Sequence, residues 1–280
     1  MRLSRLLRRL ALAGVILMVL LASVSAYLRL SAAGVGCVPW PDCYHQAVAS
    51  ETPNHPLARL AHRVLASTLG LVVVMIALTS VSVRPRRPDV VGTAFAAVAV
   101  TLALAAVGRV TSITANSSAV ALTNLLGGMV LAALLWWLTL YARARPGSPA
   151  LHLRWLANVV AAIALLQIGL GAFISTTHIA VACPNLPLCM PATSDLPAVL
   201  HMCHRVLAIV LLVAASAFAA TLLRRGGHAV RPALGLAGLI LVQAVSGASM
   251  VATDFPLWLA LAHNLGALLL LLSAVWVLTG

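Results

Sequence analysis

Charged side chains are scarce in this chain: five of its 280 residues are acidic, and charged residues of both signs make up only 8%. A soluble domain carries about 25% charged residues, so this composition excludes a mostly water-exposed surface. Lysine is absent, because all 18 basic residues are arginines. The formal net charge of +13 is therefore an arginine charge, and its meaning depends on where the arginines lie.

Long hydrophobic runs take the place of the missing charge, with 62% hydrophobic residues and a mean hydropathy of +1.06. A bilayer is spanned by about 20 apolar residues, and a spanning backbone must satisfy its own hydrogen bonds as a helix. The sequence predicts an all-α membrane protein with eight transmembrane helices. The predicted spans are 11–30, 61–83, 90–108, 118–142, 155–175, 199–223, 232–252 and 257–279. The arginine-rich start also resembles a cleaved signal peptide, but its apolar run is long, and we expect a first membrane helix.

The arginines cluster at every second helix end. The clusters are Arg2/Arg5/Arg8/Arg9, Arg84/Arg86/Arg87, Arg143/Arg145/Arg154 and Arg224/Arg225/Arg231. By the positive-inside rule, both termini are predicted to be cytoplasmic, with the loops that hold the cysteines on the outer face of a bacterial cytoplasmic membrane. The positive charge thus reflects topology and argues against a nucleic-acid partner.

The chain contains an internal sequence repeat. The motif His-Arg-Val-Leu-Ala occurs at His62–Ala66 and again 142 residues later at His204–Ala208. Each copy follows a pair of cysteines, Cys37/Cys43 and Cys183/Cys189, which are 146 residues apart. We predict two four-helix halves, 1–145 and 146–280, joined at the Pro- and Gly-containing segment Arg143–Pro149. Because each half has four spans, the two bundles form a parallel repeat.

Two histidines of the second half are candidates for haem iron ligands. His204 and His263 are expected at similar depth on helices that run in the same direction, and bundles build cofactor sites from facing side chains. The alternative is two unrelated polar residues, hydrogen-bonded within the bundle. In the last helix of each half, Thr123-Asn124-Leu125 matches His263-Asn264-Leu265 at an offset of 140. This alignment places Thr123 where the second half has His263.

Polar residues near these histidines suggest further contacts. Arg63 and Arg205 follow the repeat histidines and are expected to pair with haem propionates, or else to snorkel to the interface. His201 shares a helix face with His204, where it contacts the same ligand or is solvated. Cys203 is expected to be a small core residue.

The cysteine pairs favour one disulfide in each loop, because thiols oxidise outside the cytoplasm. A metal site that includes His45 or His178 is the second possibility, although the spacing is uncommon for zinc. Redox-active thiol exchange is the third.

The whole chain resembles the haem A synthase (Cox15/CtaA) family. The resemblance is strongest in a set of short motifs along both halves. These are Gly36-Cys37, Trp40-Pro41, Cys43, His62-Arg63, Gly171-Ala172, the run Ala182 to Cys189, His204-Arg205, the run Gln243 to Gly247, and Ala260-Leu261-Ala262-His263.

The resemblance implies a haem b cofactor bound by His204 and His263 in the second half. It implies that the first half receives haem O, beside His62 as the catalytic residue, and oxidises its C8 methyl to a formyl group. The implied partners are the lipid bilayer, haem O synthase and terminal oxidase assembly factors. The family's glutamate three residues before the first histidine is Arg59 here, and its second histidine aligns with Thr123.

Three functions follow as hypotheses. The first is a haem A synthase-like membrane oxidoreductase. The second is a non-catalytic haem b-binding paralogue that acts in haem transfer or oxidase assembly, suggested by Arg59 and Thr123. The third is a membrane thiol oxidoreductase that uses the cysteine loops, which the absence of a C-x-x-C motif disfavours.

Overall fold

A computed structural model describes residues 2–35, 37, 55–111, 117–141, 151–189, 195–226 and 230–279. Within these ranges the protein consists of α-helices and one 3-10 helix, with no strand. The α-helices are α1 Arg2–Ala32, α2 Pro56–Ser82, α3 Pro88–Thr111, α4 Ser118–Tyr141, α5 Leu151–Thr176, α6 Leu196–Arg225, α7 Val230–Ala252 and α8 Leu257–Thr279. The 3-10 helix Ile179–Ala182 follows α5.

All eight helices are long and apolar enough to cross a membrane. This confirms the predicted all-helical class and the predicted eight helices of membrane-spanning length. Six of the eight helices are longer than the predicted apolar runs, because they continue into their flanks: α1 begins at Arg2, and α6 ends at Arg225. Helix α4 ends one residue before its predicted run does, and α8 has the predicted bounds. Helix α2 begins at a proline, whose fixed φ suits the first helical turn.

The helices of each half are arranged in a ring. Helix α1 contacts α2, α2 contacts α3, α3 contacts α4, and α4 contacts α1. The second half repeats this order from α5 to α8. The first and third helices of each ring are therefore diagonal, as are the second and fourth. The predicted seam at Arg143–Pro149 lies outside the described residues.

Each half has its own hydrophobic core. On α2 the core residues include Leu69, Val73 and Ile76, and the residues 142 positions later on α6 lie in the second core: Leu211, Ala215 and Phe218. The halves meet along α1, α4, α5 and α8. Leu268 and Leu272 of α8 lie in the core of the first half, so the two bundles are packed together.

Candidate functional site

The imidazole of His204 lies on α6 against α5, in a space that a glycine provides. A Cβ atom at Gly171 would lie 2.9 Å from His204 Cε1, closer than real Cβ contacts. Gln167 Nε2 lies 3.3 Å from His204 Nε2. The other ring nitrogen, Nδ1, is buried and has no hydrogen-bond partner in the described part of the chain. A buried polar atom without a partner is costly. We therefore expect the His204 imidazole to contact a further group besides Gln167.

His263 has the same kind of environment on α8, formed here by α7. Ser246 Oγ lies 2.9 Å from His263 Nδ1, and the Gln243 side-chain amide donates a 3.0 Å hydrogen bond to the His263 carbonyl. A Cβ atom at Gly247 would lie 3.3 Å from His263 Cε1. A hydrogen bond at Nδ1 fixes the ring and directs Nε2 to a ligand, as is common for metal-binding histidines.

The two histidines stand on diagonal helices of one bundle. Helices α6 and α8 both contact α5 and α7. His204 packs on α5 and His263 packs on α7, so each imidazole is held by a different neighbour. This is the arrangement that four-helix bundles use for cofactors bound between facing helices. The glycine spaces and the unpartnered His204 Nδ1 fit a planar group held by two imidazoles.

Sequence reasoning assigned no role to Gln167, Gln243 or Ser246. The first two are amides inside apolar spans, where a polar group without a partner costs free energy. That cost alone predicts a hydrogen-bond partner for each of the two amides. The identity of the partner follows only from the packing of α5 on α6 and of α7 on α8.

His201 is buried, with 7% of its surface exposed, and its Nδ1 has no hydrogen-bond partner among the described residues. It lies one turn before His204 on α6. Of the two possibilities raised by the sequence, the solvated one is wrong. Cys203, expected in the core, is instead exposed, because it lies on a different face of α6 from His201 and His204.

Arg205 holds the second cysteine loop. Its guanidinium donates to the backbone carbonyls of Cys183 (2.7 Å), Asn185 (2.7 Å) and Pro187 (3.0 Å). These carbonyls belong to a short loop closed by a disulfide, and one planar guanidinium serves all three. The loop is thus tied to the helix that carries His204. A propionate contact of Arg205 stays a prediction.

The disulfide Cys183–Cys189 is formed, as predicted for the second loop. Cys37 is also disulfide-bonded, while Cys43 lies outside the described residues. His45, named in the alternative metal site, lies outside them too. No three His, Cys, Asp or Glu side chains of the described ranges come together as a metal-binding group.

Arg29 joins the two halves beside the second-half site. It donates to Ser175 Oγ on α5 at 2.6 Å and to Asn264 Oδ1 on α8 at 2.7 Å. Asn264 directly follows His263, so a cation of the first half contacts the helix turn that presents this histidine. Partial burial, and secondarily the Arg29 charge, lower the pKa of His178 in the turn after α5, which favours the neutral imidazole. Sequence reasoning missed Arg29, although Ser175 is its repeat equivalent, 146 residues later.

In the first half, the repeat histidine His62 has fewer side-chain contacts of the kind that hold His204. His62 on α2 is half-buried and makes no side-chain hydrogen bond within the described part of the chain. Arg59 and Arg63 are exposed. At the repeat positions of Gln167 and Gly171, the first half has Leu21 and Ser25.

The cores of the two halves fix which residues of α4 and α8 are equivalent. Four residues of α4 lie in the first core, and the residues 139 positions later lie in the second core. The pairs are Leu131/Leu270, Ala132/Leu271, Leu135/Ala274 and Leu138/Val277. A contact with the same spacing joins the neighbouring helices, because Leu104 packs on Gly127 and Gln243 packs on Gly266.

This register places Asn124, and not Thr123, at the position of His263. The predicted equivalence of Thr123 with His263 is therefore wrong by one residue. Thr123 is exposed, and its hydroxyl donates to the Ala119 carbonyl at 2.8 Å. The shared Asn-Leu dipeptide misled the alignment, because α4 has one leucine more between this dipeptide and the glycine that packs on the third helix.

The sequence model of the family described as COX15-CtaA, cytochrome oxidase assembly protein, matches residues 8–275. The chain belongs to the COX15-CtaA family. This COX15-CtaA chain is 30% identical over 308 residues to a protein named Heme A synthase from Shewanella oneidensis, which covers 91% of the chain and 90% of the relative. It is 25% identical over 262 residues to a Heme A synthase from Halalkalibacterium halodurans, with 89% and 88% covered. A third Heme A synthase, from Methylobacterium sp., is 30% identical over 169 residues, 54% of the chain and 47% of the relative.

Proposed function

We propose that this chain is a haem A synthase-type membrane oxidoreductase. In this proposal it converts the C8 methyl of haem O to a formyl group, in haem A biosynthesis for respiratory oxidases. The observation that carries the proposal is the near full-length similarity to relatives named Heme A synthase, together with membership of the COX15-CtaA family. With water as the source of the oxygen atom, the conversion releases four protons and four electrons, so an electron acceptor takes part.

In the second half, residues 146–280, His204 and His263 are the residues that would hold haem b. The proposal is supported by their placement on diagonal helices and by the glycines beside both rings. Haem b bound there supplies one-electron transfer. The residues of the chain act by orientation: Ser246 fixes the His263 ring and Gln167 contacts the His204 ring.

In the first half, residues 1–145, His62 would face the substrate haem O. Arg63 and Arg205 are the nearest arginines in sequence to the repeat histidines, and we propose them as partners of haem propionates. Arg205 would do so in addition to its loop contacts. Arg59 stands where the family has a glutamate, and as a permanent cation it cannot accept a proton as a carboxylate can.

We further propose the orientation that the arginine distribution predicts. The two halves form a parallel repeat with both termini in the cytoplasm, and the cysteine loops face outward from a bacterial cytoplasmic membrane. The matching helix order of the two rings supports the repeat. Haem O synthase and oxidase assembly factors are the partners that this role requires.

The product formed in cells tests the activity. Expressed in a bacterial strain that makes haem O but lacks its own haem A synthase, the chain is expected to yield haem A on extraction. The His62→Ala variant, expressed at a matched level, is expected to yield haem O only. Haem O without haem A from the unaltered chain would contradict catalysis.

One observation favours a second candidate, a non-catalytic haem b-binding paralogue in haem transfer or oxidase assembly. The first half lacks the histidine that the second half has at the equivalent position, and it has Asn124 instead. This candidate predicts haem b bound through His204 and His263, with no formyl product. The same extraction separates the two functions.

A further inference from the structure

The third and fourth helices of the first half reproduce the packing of the second-half site but not its polar groups. At the spacing of 139 residues, Gln243 corresponds to Leu104, Ser246 to Val107 and Gly247 to Gly108. The contacts Leu104–Gly127 and Gln243–Gly266 show that the helices meet at equivalent positions. The side chains that hold His263 in its place are thus apolar in the first half.

The space beside the equivalent glycine is open in the first half. A Cβ atom at Gly247 would meet the His263 ring at 3.3 Å, whereas a Cβ atom at Gly108 would meet no atom of the described residues within 4 Å. The side chain of Asn124 is shorter than an imidazole and does not reach this point. No described residue therefore fills, in the first half, the volume that the second histidine ring occupies in the other.

Asn124 differs from His263 in chemistry as well as in reach. An imidazole nitrogen is a good ligand for haem iron, and a carboxamide is a hydrogen-bond donor and acceptor with little affinity for it. Asn124 is half-buried, and its side-chain amide makes no hydrogen bond within the described part of the chain. His62, by contrast, retains an imidazole on the diagonal helix α2.

We infer that the first half binds haem with His62 as its sole protein ligand and leaves the opposite axial position, beside Asn124, open to a small exogenous ligand. The inference rests on the proposed function in placing a haem next to His62. The ligand class is small and neutral, such as dioxygen or carbon monoxide, and the Asn124 amide is suited to donate a hydrogen bond to it. Distal donors and free space are what decide ligand binding at haem.

Carbon monoxide binding tests the open position without measuring turnover. The purified full-length chain, loaded with haem b in both halves and reduced with dithionite, is expected to bind one carbon monoxide per chain. Asn124→His is expected to weaken this binding at least tenfold and to convert the first-half haem to a low-spin, six-coordinate spectrum. Thr123→His is the matched control: its side chain lies on the exposed face, and it is expected to leave carbon monoxide binding unchanged.

The second-half haem serves as an internal report of folding, because its low-spin spectrum should persist in both variants. A native chain that binds haem in the first half but no carbon monoxide would overturn the inference. It would also be overturned if Thr123→His blocked the binding and Asn124→His did not. Haem A formation in cells is a separate readout: haem A without carbon monoxide binding refutes this inference alone, and carbon monoxide binding without haem A refutes the proposed function alone.

Discussion

Two glycines explain how the histidines of the second half fit between helices. Gly171 and Gly247 belong to motifs that resemble those of the family, but no pattern in the sequence explains why either position is a glycine. The structure supplies the reason, since a Cβ atom at each position would press on His204 or on His263. A methyl group added there would have to displace a ring, and overpacking of this kind costs about 1–3 kcal/mol.

Gly171→Ala is expected to weaken haem b binding about tenfold, because the added methyl group displaces the His204 imidazole. The measurement is haem titration of the purified apoprotein, followed by absorbance. Gly169→Ala on the same helix is the control, since its Cβ atom would meet no described residue within 4 Å and alanine favours a helix. Equal haem affinity in the two variants would contradict the steric role of Gly171.

Helix α1 contacts helices of both halves. It packs on α2 and α4 within its own half and on α8 of the other. Its last turns carry Arg29, whose two hydrogen bonds reach α5 and α8. Charge-assisted hydrogen bonds are stronger than neutral ones, so this one side chain contributes to the alignment of the two bundles and to the placement of the turn that presents His263.

Arg29→Ala is expected to lower the free energy of unfolding by about 2 kcal/mol, because it removes two charge-assisted hydrogen bonds. Thermal unfolding in detergent should show this as a midpoint lower by a few degrees. Arg9→Ala removes an exposed arginine of the same helix and should leave the midpoint unchanged. The same decrease in both variants would show that loss of charge, and not the contact between halves, is the cause.

At the scale of the whole molecule, the sequence was sufficient to predict the number and type of helices, which the bilayer determines. Eight apolar runs predicted eight helices, because the length of a span is set by membrane thickness. The pairing of His204 with His263 was predicted from their matched depth on helices that run in the same direction. The disulfide Cys183–Cys189 was predicted because thiols oxidise outside the cytoplasm. Contacts between helices could not be predicted from the sequence. The hydrogen bond of Arg29 to α5 was not predicted, and Arg205 was found to bind the backbone of the cysteine loop.

The register of α4 relative to α8 shows why the equivalence of site residues could not be predicted from the sequence alone. A two-residue match placed Thr123 opposite the histidine position, whereas the buried side chains of both cores place Asn124 there. In uniformly apolar spans, neighbouring registers have nearly the same composition, and only packing separates them. The two halves are thus alike in helix order and core but unlike at the site.

Electron paramagnetic resonance of the ferric, haem-loaded protein tests this asymmetry most directly. We predict two haem signals of equal amount: a low-spin bis-histidine signal that His204→Ala abolishes, and a high-spin signal that His62→Ala abolishes. Each variant should leave the other signal intact, because the two sites lie in separate bundles. Two low-spin signals in the native chain, or a low-spin signal that survives His204→Ala, would contradict the account.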